Sequence, residues 1–201
     1  MVEVKNDSYW QYVWNQFKEG DKESFAIIYN HQVDALYRYA SKLSKDEHAI
    51  KDAIQEIFME LYLKRETVKT TPEFLKFYLL LALKRNLIKK NQSSRKIQQL
   101  NTSESNDFEV DYNIESQLIE IEENSAINRQ VLDALNQLPA KQKEAVYLRF
   151  NQALEYEEVA AILEISVESV RKQVYRAIKT LREIIGNESS LILISLFQKK
   201  V

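Results

Sequence analysis

The stretch Tyr156–Arg182 reads YEEVAAILEISVESVRKQVYRAIKTLR, and it decides the fold. Val159, Ala160 and Leu163 recur at helical spacing over its first eight residues. Ile165-Ser166 then forms a turn. Ser166 can cap the helix after it, because its hydroxyl accepts from an N–H that the first helical turn leaves unsatisfied. Val170, Val174, Ala177, Ile178 and Leu181 make the inward stripe of that second, longer helix. Ala160 is small where the two helices must cross closely. The spacing is that of a helix-turn-helix. The outward side of the second helix shows Ser169, Arg171, Lys172, Tyr175 and Arg176, with Glu168 and Lys179 beside them. Short and basic side chains in that position can reach base edges and phosphates in a major groove. The plainer alternative is a helical hairpin with a solvated face. One irregularity is Glu164, where such turns usually place Gly.

Working outward, the helical period holds almost throughout the chain. Phe25, Ile28, Tyr29, Val33, Leu36, Tyr37 and Ala40 follow it, and so do Ile50, Ala53, Ile54, Ile57, Phe58, Leu61 and Tyr62. Thr71-Pro72-Glu73 is a helix start, and the helix from about Pro72 to Asn91 holds Phe74, Phe77, Tyr78 and a run of leucines. A shorter helix near Trp10–Lys18 ends at Gly20. Pro139 starts a helix through Phe150, another covers Tyr156–Leu163, and a last one, Val167–Ile185, stops at Gly186. Only two Gly and two Pro occur in 201 residues, so a sandwich or barrel, with its many turns, is excluded. The fold class is all-α.

Charge divides the chain further. The net charge is −2, yet residues 61–100 carry 10 basic and 2 acidic side chains, whereas residues 101–125 carry 8 acids and no base. A basic stretch beside aromatics is the electrostatic footprint of a polyanion site, and equally of a solvated face balanced by an acidic linker. The expected organisation is two small helical domains, 1–97 and 125–187, joined by an acidic flexible linker, 98–124, with an apolar tail at 188–201.

Asp52, Gln55 and Glu56 project together at i, i+3, i+4, opposite the stripe of Ile54, Ile57 and Phe58. On spacing alone they are either a plain solvated face or a docking patch for a partner helix. Phe74, Phe77 and Tyr78 precede Lys84, Arg85, Asn86, Lys89, Lys90, Arg95 and Lys96. Aromatics beside a basic strip suit single-stranded nucleic acid, where bases stack and phosphates pair with cations. The alternative is that the aromatics are core, and much of that set is expected to be.

Several classes fall away. With no Cys there is no disulfide framework, thiolate metal site or cysteine nucleophile, and two His cannot build a three-histidine metal site. No Gly-rich phosphate loop and no Glu-x-x-His pair is present. No catalytic residue, metal or cofactor is expected, and no small-molecule substrate. The longest apolar runs, Phe77–Leu83 and Leu191–Phe197, are far short of the roughly 20 residues that span a bilayer. A cytoplasmic protein that does not insert in membranes is the expectation.

Taken in order, these pieces resemble the sigma factors of bacterial RNA polymerase, in particular the two-domain extracytoplasmic-function group. Gly20-Asp21-x-x-Ser24-Phe25, Tyr37-x-x-Ala40, Asp52-x-x-Gln55-Glu56-x-Phe58, Tyr78-Leu79, Lys84-Arg85-Asn86 and Arg95-Lys96 resemble region two. Leu132-x-x-Leu135-x-x-Leu138-Pro139, Val146-x-Leu148-Arg149-Phe150 and the helix-turn-helix resemble region four. The resemblance implies that Asp52, Gln55 and Glu56 dock on the polymerase clamp. It implies that the loop Arg65 to Thr71, with Asn86, Lys89 and Lys90, captures the melted minus-ten element. It implies that Ser169, Arg171, Lys172, Tyr175 and Arg176 read the minus-thirty-five element. Core RNA polymerase, promoter DNA and an anti-sigma factor are the implied partners. Tyr78 stands where the family often has Trp, and Glu155 and Glu164 where it often has Ser and Gly. A regulator that binds duplex DNA without polymerase is the alternative.

Overall fold

A computed structural model describes residues 7–97 and 133–185, the side chains of 91–97 excepted. The chain divides into two compact units, Met1–Glu104 and Ser105–Val201. Every described element is helical. The stretches read as linker and as apolar tail lie outside the described residues.

The first unit is built from α1 (Asp7–Lys18), α2 (Lys22–Ala40), α3 (Glu47–Leu63), a 3-10 turn (Pro72–Phe74) and α4 (Leu75–Ile97). Gly20 closes α1 at φ +97°, a conformation that costs a side-chain-bearing residue energy and glycine almost none. A Cβ there would also meet the Arg65 Nε at 3.4 Å. Asp21 starts α2, its carboxylate accepting from the Ser24 N–H at 2.7 Å. Asp46 does the same for α3 through Ala49, at 3.1 Å. Both α3 and α4 pack on α2 and on each other. The core between them holds Phe17, Ile28, Leu36, Tyr39, Ile50, Ile57, Phe58, Leu61, Leu79, Leu80 and Leu83, all buried. Burying each such side chain contributes roughly 1.5–3 kcal/mol, and Leu79→Ala is the kind of change that costs about 2–5 kcal/mol.

The packing corrects two expectations. The inward line of α2 runs through Ser24, Ile28, Gln32, Leu36, Tyr39 and Ala40. Phe25, Tyr29, Val33 and Tyr37 lie to one side of it and line a groove of about 510 Å³ against α3. Nor do the aromatics of the α4 region form its core. Leu75, Leu79, Leu83 and Leu87 take the i, i+4 line and are buried. Phe77 and Tyr78 are half-buried, and Phe74, in the 3-10 turn, is 55% exposed.

The second unit has helical residues 133–137 (α5), α6 (Ala140–Val146), α7 (Tyr156–Leu163) and α8 (Val167–Ile185). Pro139 precedes α6 as its cap residue, and the helix ends in a π-helical turn, Tyr147–Asn151. That turn widens the coil, and Gln152 fills the space by donating to the Tyr147 hydroxyl at 2.9 Å. Ala134, Leu135, Leu138, Val146, Ala177 and Leu181 form one buried cluster. The bounds of α7 and α8 are those expected from the sequence. Val170, Val174, Ala177 and Leu181 face inward, with Ile178 half-buried. Val159 and Ala160 are buried as expected, whereas Ile162 is buried in preference to Leu163. Glu164 sits at φ 55° and ψ 40°, the left-handed turn that its position demands of any residue there.

Candidate functional site

On α3, Ile50, Ala53, Ile54, Ile57, Phe58 and Leu61 are buried, which turns Asp52, Gln55 and Glu56 to solvent. The three do not behave alike. Asp52 is exposed and has no partner among the described residues. Gln55 borders the aromatic groove between α2 and α3. Glu56 turns the other way, onto α4. Its Oε1 lies 2.9 Å from the Lys90 Nζ, and its Oε2 accepts from the Asn86 Nδ2 at 2.8 Å.

This triad joins residues that the sequence assigned to two separate sites. Lys90 first, then Asn86, hold the Glu56 carboxyl below its ordinary range, and the positive charge of Lys89 adds to the effect. Glu56 is therefore ionised at neutral pH. The Asn86 Oδ1 is buried without a donor among the described residues. Exchanging the two ends of that amide would turn its oxygen onto the Glu56 carboxylate, so charge fixes the orientation. The Lys90 side chain is 31% exposed, and Lys89 is exposed beside it.

The loop from Arg65 to Thr71 is anchored at its first residue. The Arg65 guanidinium donates to the Tyr62 carbonyl at 3.1 Å, meets Glu66 at 3.3 Å and lies 5.0 Å from the Tyr62 ring centre. It lies beside Gly20, at the turn that closes α1. At the other end of the loop the Thr71 hydroxyl donates to the Glu73 carboxylate and holds that group below its ordinary pKa range.

In the second unit, the turn before α8 is closed by Ser166, whose Oγ accepts from the Ser169 N–H at 3.2 Å and lies 2.8 Å from the Ser169 Oγ. Ser169 is thus half-buried and partly spent on the cap, which narrows what it can offer a ligand. Arg171, Lys172, Tyr175 and Arg176 are all exposed, Tyr175 to 70%. Lys172 pairs with Glu168 at 2.6 Å and Arg171 reaches Glu157 at 4.0 Å, with every side chain involved more than 60% exposed. Such pairs are weak and screened, so a phosphate can replace the carboxylate at little cost.

Two residues given no site role in the sequence bear on this helix: Tyr156 contacts it, and Arg149 contacts Tyr156. The Arg149 guanidinium and the Arg171 guanidinium lie 5.0 Å and 5.4 Å from the centre of the same Tyr156 ring. Arg149 also donates to the Leu154 carbonyl at 2.7 Å. The place of Glu155 before α7 is explained as well: its backbone N–H donates to the Glu158 carboxylate at 2.8 Å, so the cap comes from three residues ahead.

Fold and site together define a class: an all-helical, two-unit nucleic-acid-binding protein whose second unit carries a helix-turn-helix. Residues 28–96 match the family described as Sigma-70 region 2, and residues 128–181 match Sigma-70, region 4. The chain belongs to the sigma-70 family, among factors of the extracytoplasmic-function group. The ECF RNA polymerase sigma-E factor of Haemophilus influenzae is 28% identical over 181 residues, which cover 85% of this chain and 90% of that one. RNA polymerase sigma factor SigV of Bacillus subtilis is 29% identical over 155 residues, covering 77% and 86%. Among solved structures, sigma factor RpoE of Bartonella quintana, in complex with the anti-sigma factor NepR, superposes with a TM-score of 0.54 at 23% identity, over 81% of this chain and 97% of that one. That last likeness is one of fold.

Among the described residues no helix is long and apolar enough to cross a membrane, and no group of three or more His, Asp or Glu is placed to hold a metal ion.

Proposed function

We propose that this protein is an alternative sigma factor that binds core RNA polymerase in the cytoplasm and directs it to promoters through two helical domains. One observation carries the reading: regions two and four occur in order in one chain. Sigma factors initiate transcription without catalysis of their own, and this chain performs no chemistry. An anti-sigma factor is a further partner, as it is for the Bartonella relative.

The roles proposed for the individual residues are these. Asp52 and Gln55 meet the polymerase directly. Glu56 borders that surface and also fixes Asn86 and Lys90, which with Lys89 take the melted minus-ten strand. Trapping unpaired bases offsets the cost of opening the duplex. Arg171, Lys172, Tyr175 and Arg176 meet the minus-thirty-five element, with Ser169 capping the helix that presents them. Run-off transcription with purified core polymerase tests this. The expected result is specific initiation that the Asp52→Ala, Gln55→Ala, Glu56→Ala triple variant loses along with polymerase co-purification. Duplex binding as a homodimer without any initiation would establish the polymerase-independent regulator instead.

A further inference from the structure

A cavity of about 110 Å³ lies on the first unit between α1, α2 and the 3-10 turn that opens α4. It belongs to none of the surfaces described above. Trp10 and Trp14 of α1 line it. His31 lies against Trp10, with ring centres 4.3 Å apart and the planes tilted by 43°, and adds a third ring to that wall. Asp7, in the first turn of α1, and Glu73, in the 3-10 turn, bring two carboxylates to its edge. Gln32 lines it from α2. That side chain is only 7% exposed, yet it makes no hydrogen bond among the described residues.

An amide with no protein partner that lines the cavity keeps its carbonyl oxygen and N–H groups available to a ligand there. Its carbonyl oxygen accepts, and so do the two carboxylates. Tryptophan faces attract cations more strongly than any other side chain. Acceptors and π-faces around one small space select a planar cation with several N–H donors. The same carboxylates repel the phosphates that would accompany a nucleotide. The volume admits the head of one side chain and excludes a drug-sized molecule. We propose that this cavity receives the guanidinium of an arginine presented by a protein partner of the first unit. None of the promoter-binding roles above depends on it.

Trp10 and Trp14 are the only tryptophans in the chain, so the two indole N–H signals report on this cavity alone. The test titrates the full-length, isotope-labelled protein with N-acetyl-arginine amide at millimolar concentrations. Both indole signals should shift saturably. The citrulline analogue, which keeps the shape and loses the charge, should shift neither. Glu73→Gln and Gln32→Leu should each weaken the arginine response about two- to fivefold, the range expected of one semi-exposed polar contact. Glu73 is exposed, so its variant keeps the test alive even if the buried Gln32 change disturbs folding. No shift with the arginine probe overturns the proposal. So does an equal shift with citrulline, or an equal one with spermidine, which would mean charge attraction without recognition of a guanidinium. A response to thymidine in place of arginine would make this a base pocket and overturn it too.

Discussion

The basic patches of α4 in the first unit and α8 in the second hold their lysines in opposite ways. In the first, Lys90 and Asn86 are tied across helices to one carboxylate, Glu56, and Lys90 is largely covered. In the second, Lys172 and Lys179 meet Glu168 and Glu183 one turn away on their own helix, and each of these side chains is more than 60% exposed. The first arrangement is architecture, because moving any member shifts a helix contact. The second is a loose screen of charges that a polyanion can strip away. Two basic patches in one chain therefore need not be equally ready to bind. The patch on α4 is pre-shaped and partly neutralised, and the patch on α8 is open.

The largest effect expected from this difference is on sequence reading by α8. Arg171→Ala should relax preference at one or two positions of the upstream element, by about 1–3 kcal/mol of discrimination. Lys172→Ala should instead weaken all upstream sequences alike and lower the salt slope by about one counterion. Libraries randomised at that element, assayed at several salt concentrations, separate the two. Loss of activity in both variants with no change in preference would mean that α8 grips the backbone only.

Next comes the tie on the first unit. Lys90→Glu sets two carboxylates against each other and should cost that unit about 1 kcal/mol, together with promoter opening followed by permanganate footprinting. Adding Glu56→Lys restores an opposite-charge pair and should return the stability without returning the opening. Lys172→Glu on α8 should change thermal stability by less than about 0.5 kcal/mol, since nothing but its own helix depends on it. If Lys90→Glu proves equally harmless to folding, the contrast between the units is wrong.

A smaller effect separates the two turns with positive φ. Glu164→Gly should stabilise the second unit by about 1 kcal/mol, because a side chain in that conformation is strained. Gly20→Ala should destabilise the first by a similar amount, through its φ of +97°. Chemical denaturation of each variant checks both signs.

The smallest is pH dependence at Glu56. Its folded pKa lies below the ordinary 4.5. Its stabilising contribution is therefore complete above that value and is lost as pH falls through the depressed one. Glu56→Gln should flatten this part of the acid limb by less than about 1 kcal/mol, the side chain being 53% exposed. An unchanged acid limb would mean that the tie to Lys90 adds no stability.

The sequence is most legible where local signals agree. Ser166, the apolar period and the basic outer side fix α7 and α8 to the residue. It is least legible where a partner comes from far along the chain. Nothing near Glu56 announces Lys90, 34 positions on, because helix spacing sees only one turn at a time. Gln32 breaks the α2 pattern by being polar on the inward line, so the period puts Phe25, Tyr29 and Val33 in the core in its place. Pro139 and Phe150 bracket a continuous helical span as expected, but that α6 stops at Val146 and gives way to a π-helical turn leaves no periodic trace. Asp52 and Gln55 are exposed as spacing requires, yet their exposure alone does not distinguish a docking patch from a solvated face.

One contact in the second unit has a bearing on binding entropy. An exposed arginine ordinarily samples many rotamers, and fixing it on DNA forfeits about 0.5–1.5 kcal/mol of that freedom. The Tyr156 ring, 5.4 Å from the Arg171 guanidinium, offers it a resting place before any DNA arrives. Arg149, against the same ring and bonded to the backbone at Leu154, holds the ring in turn. Part of the ordering is then done at folding, and less remains to be lost on encounter. A tyrosine on the neighbouring helix can in this way raise the affinity proposed for α8.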